Sequence, residues 1–128
     1  MRVVICDDEP LARERLTRIV REEGHEVVAQ AATGLEAIAK VKETVPDVIL
    51  LDIRMPEMDG IEAATRLRAD DRYAFTPIIA LTADSMVGDK EKSLAAGMND
   101  HLSKPVEPDE LLAKLREWVD RGRNTAKS

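Results

Sequence analysis

Charged side chains follow three short segments of strand character, each at the point where the segment ends. They are Asp7 and Asp8 after residues 3–6, Asp52 after residues 48–51, and Lys104 after residues 101–103. Three carboxylates beside one ammonium group are suited to binding a divalent cation. That chemistry requires the four side chains to converge, and they converge if the three segments are parallel strands of one sheet.

Two apolar patterns alternate along the chain and predict the elements that would bring these side chains together. Nearly unbroken apolar runs, typical of strands buried on both faces, lie at 3–6, 27–31, 48–51 and 78–81, with a shorter strand at 101–103. Helical spacing follows each run, beginning near Leu11, Leu35, Ile61, Asp89 and Pro108. This order predicts an α/β fold of the (βα)5 type, in which helices cover both faces of a five-stranded parallel sheet. Such sheets bind ligands beyond the carboxyl ends of their strands, where the charged side chains lie.

The composition restricts the class of protein. The 128 residues are 44% hydrophobic, which suffices for one domain, and we assign it to residues 1–120 with a polar tail or linker start at 121–128. A net charge of -6 argues against direct binding to nucleic acid, whose backbone attracts basic proteins. We find no secretory signal and no membrane-spanning run, and Cys6, the single cysteine, lies inside an apolar run. These features predict a cytoplasmic protein with a buried, inert thiol and no membrane partner.

Four motifs together resemble the receiver domain of bacterial two-component response regulators. They are Asp7-Asp8, the segment LDIRMPEMDG at 51–60, Leu81-Thr82-Ala83, and Lys104-Pro105. The resemblance covers about the whole chain, in the family's order and spacing, and implies a doubly wound, flavodoxin-like fold with strand order 2-1-3-4-5. Residues 1 to about 60 look like receivers of LytTR-type regulators, whereas residues from about 73 onward look like receivers of hybrid histidine kinases.

The resemblance implies how the acidic residues act. Asp52 is the expected phosphoacceptor, which takes a phosphoryl group from a phosphohistidine of a histidine kinase or a histidine phosphotransfer protein. Mg2+ is the expected cofactor, bound by Asp8, Asp52 and the backbone carbonyl of Arg54, with Asp7 acting through water. The residue types agree, because hard oxygen ligands without a His–Cys cluster suit Mg2+ better than Zn2+.

Lys104 and Thr82 complete the implied site. Lys104 helps to neutralise the transferring oxygens, and the Thr82 hydroxyl binds a phosphoryl oxygen once Asp52 is modified. Movement of Thr82 would repack the face formed by the fourth helix, fifth strand and fifth helix. We therefore expect a signalling domain that catalyses its own phosphorylation and dephosphorylation, not an enzyme acting on a free metabolite. It is expected to be a monomer or a phosphorylation-dependent dimer.

The sequence departs from the common receiver pattern in two respects. The place three residues before Lys104, often Tyr or Phe and used as a rotamer switch, is His101, which puts a coupled Thr–aromatic switch in question. Histidine changes charge near neutral pH, so His101 is either a pH-sensitive reporter of the site or a surface residue without a role. The second departure concerns Arg54 and Asp84, which stand at two places that in receivers resemble gates influencing the attack of water on the acyl phosphate. An ion pair between them would predict slow autodephosphorylation.

Each motif residue also has a purely structural interpretation. Asp7 and Asp8 fit the N-cap and first-turn acids of a helix at Pro10, Asp52 fits a turn cap, and Lys104 fits a solvated lysine. Two other protein classes compete as well. A phosphorylation-independent binding module of the same fold is disfavoured by the complete motif set, and an aspartate-based phosphohydrolase is disfavoured because Arg54 stands where its second acid belongs.

Overall fold

The computed structural model of the protein describes residues 1–83 and 87–127. Its strands are β1 (Arg2–Cys6), β2 (Glu26–Ala31), β3 (Val48–Asp52), β4 (Ile78–Thr82) and β5 (Asp100–Ser103). Its helices are α1 (Pro10–Glu22), α2 (Gly34–Thr44), α3 (Gly60–Arg68), α4 (Val87–Ala95) and α5 (Pro108–Lys127). All strand pairs are parallel, in the order β2-β1-β3-β4-β5. The predicted (βα)5 fold and its strand order are confirmed.

The central strands are buried on both faces, which explains their unbroken apolar sequences. Every residue of β3 and β4 is buried, including Asp52 and Thr82 at their carboxyl ends. Alternate residues of each strand face opposite sides of the sheet. One side packs against α2 and α3, and the other packs against α1 and α5. The core is aliphatic, as the low aromatic content requires.

Local capping determines where the helices begin and end. Thr33 caps α2 by accepting a hydrogen bond from the Glu36 N–H, and Asp59 caps α3 by accepting one from the Glu62 N–H. Gly24 follows α1 with a φ of +87°, a conformation that favours glycine. Helix α5 continues across the boundary that we place at residue 120, and the division into domain and tail stays a prediction.

Three details differ from the sequence-based expectations. Leu11, taken as the first residue of the apolar stripe of α1, is 80% exposed. Helix α4 begins at Val87, two residues before the expected Asp89. A short 3-10 helix at Asp71–Tyr73, which the apolar pattern did not predict, buries Tyr73 in the core on the side of the sheet that packs against α2 and α3.

Two sequence-based expectations concern burial and membranes. Cys6 is fully buried as a free cysteine, and burial raises the pKa of its thiol well above the ordinary value, as expected for an inert core residue. Within the described part of the chain, we find no helix that combines the length and apolar character needed to cross a membrane.

Candidate functional site

The acidic side chains converge at the carboxyl edge of the sheet. Strands β1 and β3 are direct neighbours, with Cys6 paired to Leu51, so the residues that follow each strand lie side by side. One carboxylate oxygen from each of Asp7, Asp8 and Asp52 lies within 4.8 Å of the others. Asp7 and Asp52 are buried, whereas Asp8 is exposed. The arrangement is a pocket with a buried floor and an acidic rim open to solvent.

Lys104 reaches into this acidic cluster from the loop after β5. Its Nζ donates a hydrogen bond to Asp52 Oδ2 at 2.9 Å and lies 2.7 Å from Asp7 Oδ2. The Lys104 backbone N–H donates to the Thr82 carbonyl at 2.7 Å, and the Lys104–Pro105 peptide is cis. The interpretation of Lys104 as a solvated lysine is therefore wrong, because its side chain is only 16% exposed and is paired with two carboxylates.

The capping interpretation of the acidic pair is also wrong. Helix α1 has Glu9 at its N-cap with no side-chain capping bond, and no acid lies in its first turn. Asp7 Oδ1 accepts a hydrogen bond from the Glu9 N–H at 2.9 Å, while its Oδ2 faces Lys104. The turn role of Asp52 is real, since its Oδ1 accepts from the Arg54 N–H at 3.1 Å. The other carboxylate oxygen of Asp52, Oδ2, accepts the hydrogen bond from Lys104.

Burial and charge perturb the site residues. Burial raises the pKa of Asp52 to about 6 against the opposing effect of Lys104, and the negative charge of Asp7 adds to the rise. Burial works to lower the pKa of Lys104, but the carboxylates of Asp7 and Asp52 outweigh it and the value rises. One ammonium group does not fully offset three carboxylates, so the pocket carries excess negative charge.

The donor atoms of the pocket fit a hard divalent cation. Every side-chain donor of the cluster is a carboxylate oxygen. Asp7 Oδ2 is buried and accepts no hydrogen bond of normal geometry within the described part of the chain. Oxygen ligands beside an open solvent face suit Mg2+, which keeps part of its water shell when bound. The residues present therefore fit such an ion.

Thr82 lies at the end of β4, next to the acidic cluster. The register pairs Leu81 with Asp52 and Thr82 with Ser103, so Thr82 sits between the β3 and β5 ends. Its side chain is buried, and among the described residues its Oγ1 has no hydrogen-bond partner. A buried hydroxyl without a partner is costly.

Arg54 and His101 mark the two departures from the family pattern. Arg54 is exposed and lines an open groove of about 580 Å3 with Asp8, Asp59 and Lys92. Asp84, its hypothetical ion-pair partner, lies outside the described residues. His101 is partly buried on β5, and its Nδ1 is 3.8 Å from Asp100 Oδ1.

Asp100 connects β5 to α5 through side-chain contacts. Its carboxylate accepts two hydrogen bonds from Lys114 Nζ, at 2.9 and 3.0 Å, and one from Trp118 Nε1 at 3.0 Å. Burial by itself would raise the pKa of Asp100, but these donors lower it below the ordinary value. The half-buried Trp118 therefore serves packing and hydrogen bonding, consistent with its helical spacing.

Sequence reasoning missed two arginines of α1 that hold the site loops. The Arg13 guanidinium donates to the Asp7 carbonyl at 2.6 Å, and the Arg15 guanidinium donates to the Val106 carbonyl at 2.7 Å. A second groove, of about 470 Å3, opens beside Asp7 and Lys104 and is lined by Leu11, Ala12, Arg15, Pro105 and Val106 among others. The partner of Arg15 lies 91 residues away, so no local pattern marks the contact.

The assembled geometry agrees with a comparison of the chain against known families. Residues 3–116 match the family described as the response regulator receiver domain. The chain belongs to this family. The receiver domain thus carries its acidic pair, the acid at the end of β3 and the lysine after β5 in one pocket, within the matched range.

Several curated relatives of this receiver domain are longer proteins. The transcriptional regulatory protein TrcR of Mycobacterium tuberculosis is 40% identical over 121 residues, which cover 94% of this chain and 46% of that protein. The signal transduction histidine-protein kinase BarA of Escherichia coli is 40% identical over 111 residues, which cover 87% of this chain and 12% of that protein. The receiver domain therefore spans less than half the length of these relatives.

Solved structures share the fold closely. The receiver domain of sensor histidine kinase PA1611 from Pseudomonas aeruginosa superposes with a TM-score of 0.86 at 35% identity, covering 93% of this chain and 97% of that one. That structure has a magnesium ion coordinated in its active-site cleft. A CheY-like receiver domain protein from Methanospirillum hungatei gives a TM-score of 0.88 at 29% identity, covering 97% of both chains.

Proposed function

We propose that this receiver domain accepts a phosphoryl group on Asp52 from a phosphohistidine of a histidine kinase or a histidine phosphotransfer protein. The observation that carries the proposal is the hydrogen bond from Lys104 Nζ to Asp52 Oδ2 inside a cluster of three carboxylates. A buried carboxylate held beside a cation and an acidic metal pocket is placed to act as a nucleophile toward phosphorus.

Mg2+ is the proposed cofactor. Asp8, Asp52 and the backbone carbonyl of Arg54 would hold it, and Asp7 would contact it through water. When bound, the ion neutralises negative charge on the phosphoryl oxygens and on the carboxylates. The PA1611 receiver, which carries magnesium in its cleft, supports this assignment.

The chain's own groups account for the transfer. A carboxylate oxygen of Asp52 attacks phosphorus, the bond from phosphorus to the histidine nitrogen breaks, and its electron pair stays on the imidazole. The product is an acyl phosphate on Asp52 and a dephosphorylated histidine. Lys104 is already within hydrogen-bond distance of Asp52 and offers its positive charge to the phosphoryl oxygens without a large movement.

Thr82 is the proposed reporter of phosphorylation. Its buried hydroxyl, which has no partner among the described residues, gains an acceptor when a phosphoryl oxygen arrives. Since the Thr82 carbonyl accepts the Lys104 N–H, a shift of Thr82 is transmitted directly to the β5–α5 connection. We propose that the face formed by α4, β5 and α5 changes in response.

The groove between α1 and the loop after Lys104 supports a protein, either a histidine kinase or a histidine phosphotransfer protein, as the phosphodonor. Leu11 is 80% exposed at its edge, and Pro105 and Val106 form its other wall. An apolar, exposed surface beside the acceptor gives a protein carrying the phosphohistidine a place to dock. Small phosphodonors would not need this groove.

Finer assignments are proposals as well. The relatives BarA and PA1611 are histidine kinases that match 87% and 93% of this chain, so they support a likeness to kinase receivers over the chain as a whole. We propose that this likeness is strongest in the second half. We also propose the LytTR-type likeness of the first half, a cytoplasmic location, and a monomer that dimerises on phosphorylation.

Phosphotransfer from a phosphorylated protein tests the proposal. Autophosphorylated histidine kinases carrying radiolabel would be mixed with the wild-type domain, with Asp52→Ala, and with the wild type in EDTA. We expect label to move to the wild type when Mg2+ is present, but not to Asp52→Ala and not to the wild type in EDTA. If no kinase or phosphotransfer protein transfers label while Asp52→Ala binds the same partners as the wild type, the domain is a phosphorylation-independent binding module.

A further inference from the structure

A short segment between β2 and α2 contacts both halves of the candidate site. We call residues 31–34, from the last residue of β2 to the first residue of α2, the bridging segment. The Asp7 N–H donates a hydrogen bond to the Ala31 carbonyl at 2.9 Å, at one end of this segment. At the other end, the Gly34 N–H donates to the Met58 carbonyl at 2.9 Å. The segment thus ties the acidic pair to the loop of residues 53–59, which carries Arg54.

Gly34 leaves no space for a side chain at this contact. A Cβ on Gly34 would lie 2.2 Å from the Met58 carbonyl oxygen and 2.7 Å from its carbon. Both atoms belong to the backbone, so neither yields as the end of a flexible side chain would. Any larger residue at position 34 must push Met58 away or break the hydrogen bond.

The 53–59 loop is constrained on both sides of Met58. A displacement of Met58 is therefore expected to move the rest of the loop as well. The Met58 N–H donates to the Pro56 carbonyl at 2.7 Å around Glu57, whose φ is +67°. This γ-turn geometry is strained for a residue with a side chain and persists only where its surroundings hold it. At the far end, a Cβ on Gly60 would lie 2.2 Å from the Asp52 carbonyl oxygen.

The bridging segment is itself held by helix capping. Thr33 Oγ1 accepts a hydrogen bond from the Glu36 N–H at 3.1 Å, and the Ala32 N–H donates back to Glu36 Oε1 at 3.4 Å. Gly34 is the first residue of α2 and is buried. These contacts restrain the segment where it lies between the two loops.

We propose that the bridging segment positions the metal site, with Gly34 as the residue on which the separation of the two loops depends. The inference rests on the proposed function, because it concerns the Mg2+ site assigned there. Gly34 would not contact the ion and acts through Met58 and the loop that presents the Arg54 carbonyl. Linkage makes the effect reciprocal, so bound Mg2+ should strengthen the Gly34–Met58 hydrogen bond.

Mg2+ affinity in a pair of glycine variants tests this role. Gly34→Ala would be compared with Gly24→Ala by calorimetric Mg2+ titration, at a temperature where circular dichroism shows both to be folded. Gly24 has a φ of +87° and open space around its Cβ position, so alanine there strains the backbone without touching a site loop. We expect the Mg2+ Kd to rise about tenfold or more in Gly34→Ala and to stay within about twofold in Gly24→Ala.

Amide exchange in the wild-type protein provides a second test that needs no variant to fold. NMR would follow the Gly34 and Gly24 amides with and without saturating Mg2+. We expect exchange to slow severalfold at Gly34 and to be unchanged at Gly24. Unchanged exchange at Gly34 with Mg2+ bound would overturn the proposal, as would equal Mg2+ affinity in the two variants.

The failure of this inference is distinguishable from the failure of the metal site itself. A wild-type domain that binds no Mg2+ refutes the proposed cofactor and, with it, the positioning role. If the wild-type domain binds Mg2+ and Gly34→Ala binds it with the same affinity, only the role of the bridging segment is refuted.

Discussion

Lys104 Nζ donates a 2.9 Å hydrogen bond to Asp52 Oδ2, joining the loop after β5 to the end of β3. The two residues are 52 positions apart in sequence and meet because both strands run parallel in one sheet. The proposed nucleophile and a charge-neutralising cation are therefore in contact before a phosphoryl group arrives. Such preorganisation reduces the reorganisation needed in the transition state.

Removing the Lys104 charge should slow phosphorylation without removing the metal site. We expect Lys104→Gln to lower the rate of phosphoryl gain from acetyl phosphate by about a hundredfold or more. Mg2+ affinity should be retained or increased, since a competing cation is gone. Lys114→Gln, which removes a lysine paired with Asp100, is the matched control. Equal rates for wild type and Lys104→Gln would refute the role of Lys104.

Asp8 should contribute far more to Mg2+ affinity than Glu9, the exposed acid next to it. We expect Asp8→Asn to weaken Mg2+ binding about tenfold or more, because it removes one of three converging carboxylates. Glu9→Gln removes an adjacent exposed acid outside the cluster and should change the Mg2+ Kd by less than about twofold. Calorimetric titration measures both. Similar losses in the two variants would mean that general charge, and not a metal site, governs binding.

Asp100 should give stability that depends on pH. Because its folded-state pKa is lowered, its contribution is present above the ordinary carboxyl value near pH 4 and is lost as the pH falls through the folded value. We expect Asp100→Asn to lower the unfolding free energy by about 1 kcal/mol at pH 7, with the difference disappearing in acid. Urea unfolding followed by Trp118 fluorescence measures it. The surface variant Glu62→Gln should show only a few tenths of a kcal/mol.

Tyr73 carries a hydroxyl that is buried at a cost. Within the described residues its Oη has no hydrogen-bond partner, and its side chain is 1% exposed. We expect Tyr73→Phe to raise the unfolding free energy by about 1 kcal/mol, because it removes an unsatisfied polar group and keeps the ring. Urea unfolding at pH 7 checks this. A loss of stability of similar size would show that the hydroxyl has a favourable contact.

The convergence of charged residues at the strand ends was predictable because two general rules apply there. Apolar runs mark strands buried on both faces, and the parallel sheet rule places their following residues at one edge. Asp7, Asp52 and Lys104 obey both rules, and their contacts agree with what the sequence indicated. The helix starts at Thr33 and Asp59 were equally readable, since a cap is a local hydrogen bond.

Contacts between distant segments were not predictable from local pattern. Arg68 donates to the Gly97 and Tyr73 carbonyls and to Asn99 Oδ1, a set that only the folded chain defines. Leu11 follows the helical apolar spacing and is nevertheless 80% exposed, because no element of the described chain covers that end of α1. The clash that a side chain at Gly34 would meet depends on where the β3–α3 loop crosses α2.

Phosphorylation of Asp52 is tested most directly by the intact mass of the domain after incubation with Mg2+ and acetyl phosphate, beside Asp52→Ala. We predict that the wild type gains one phosphoryl group that hydroxylamine removes, and that this gain is absent from Asp52→Ala and absent when EDTA replaces Mg2+. The same gain in Asp52→Ala, or no gain in the wild type under any condition, would contradict it.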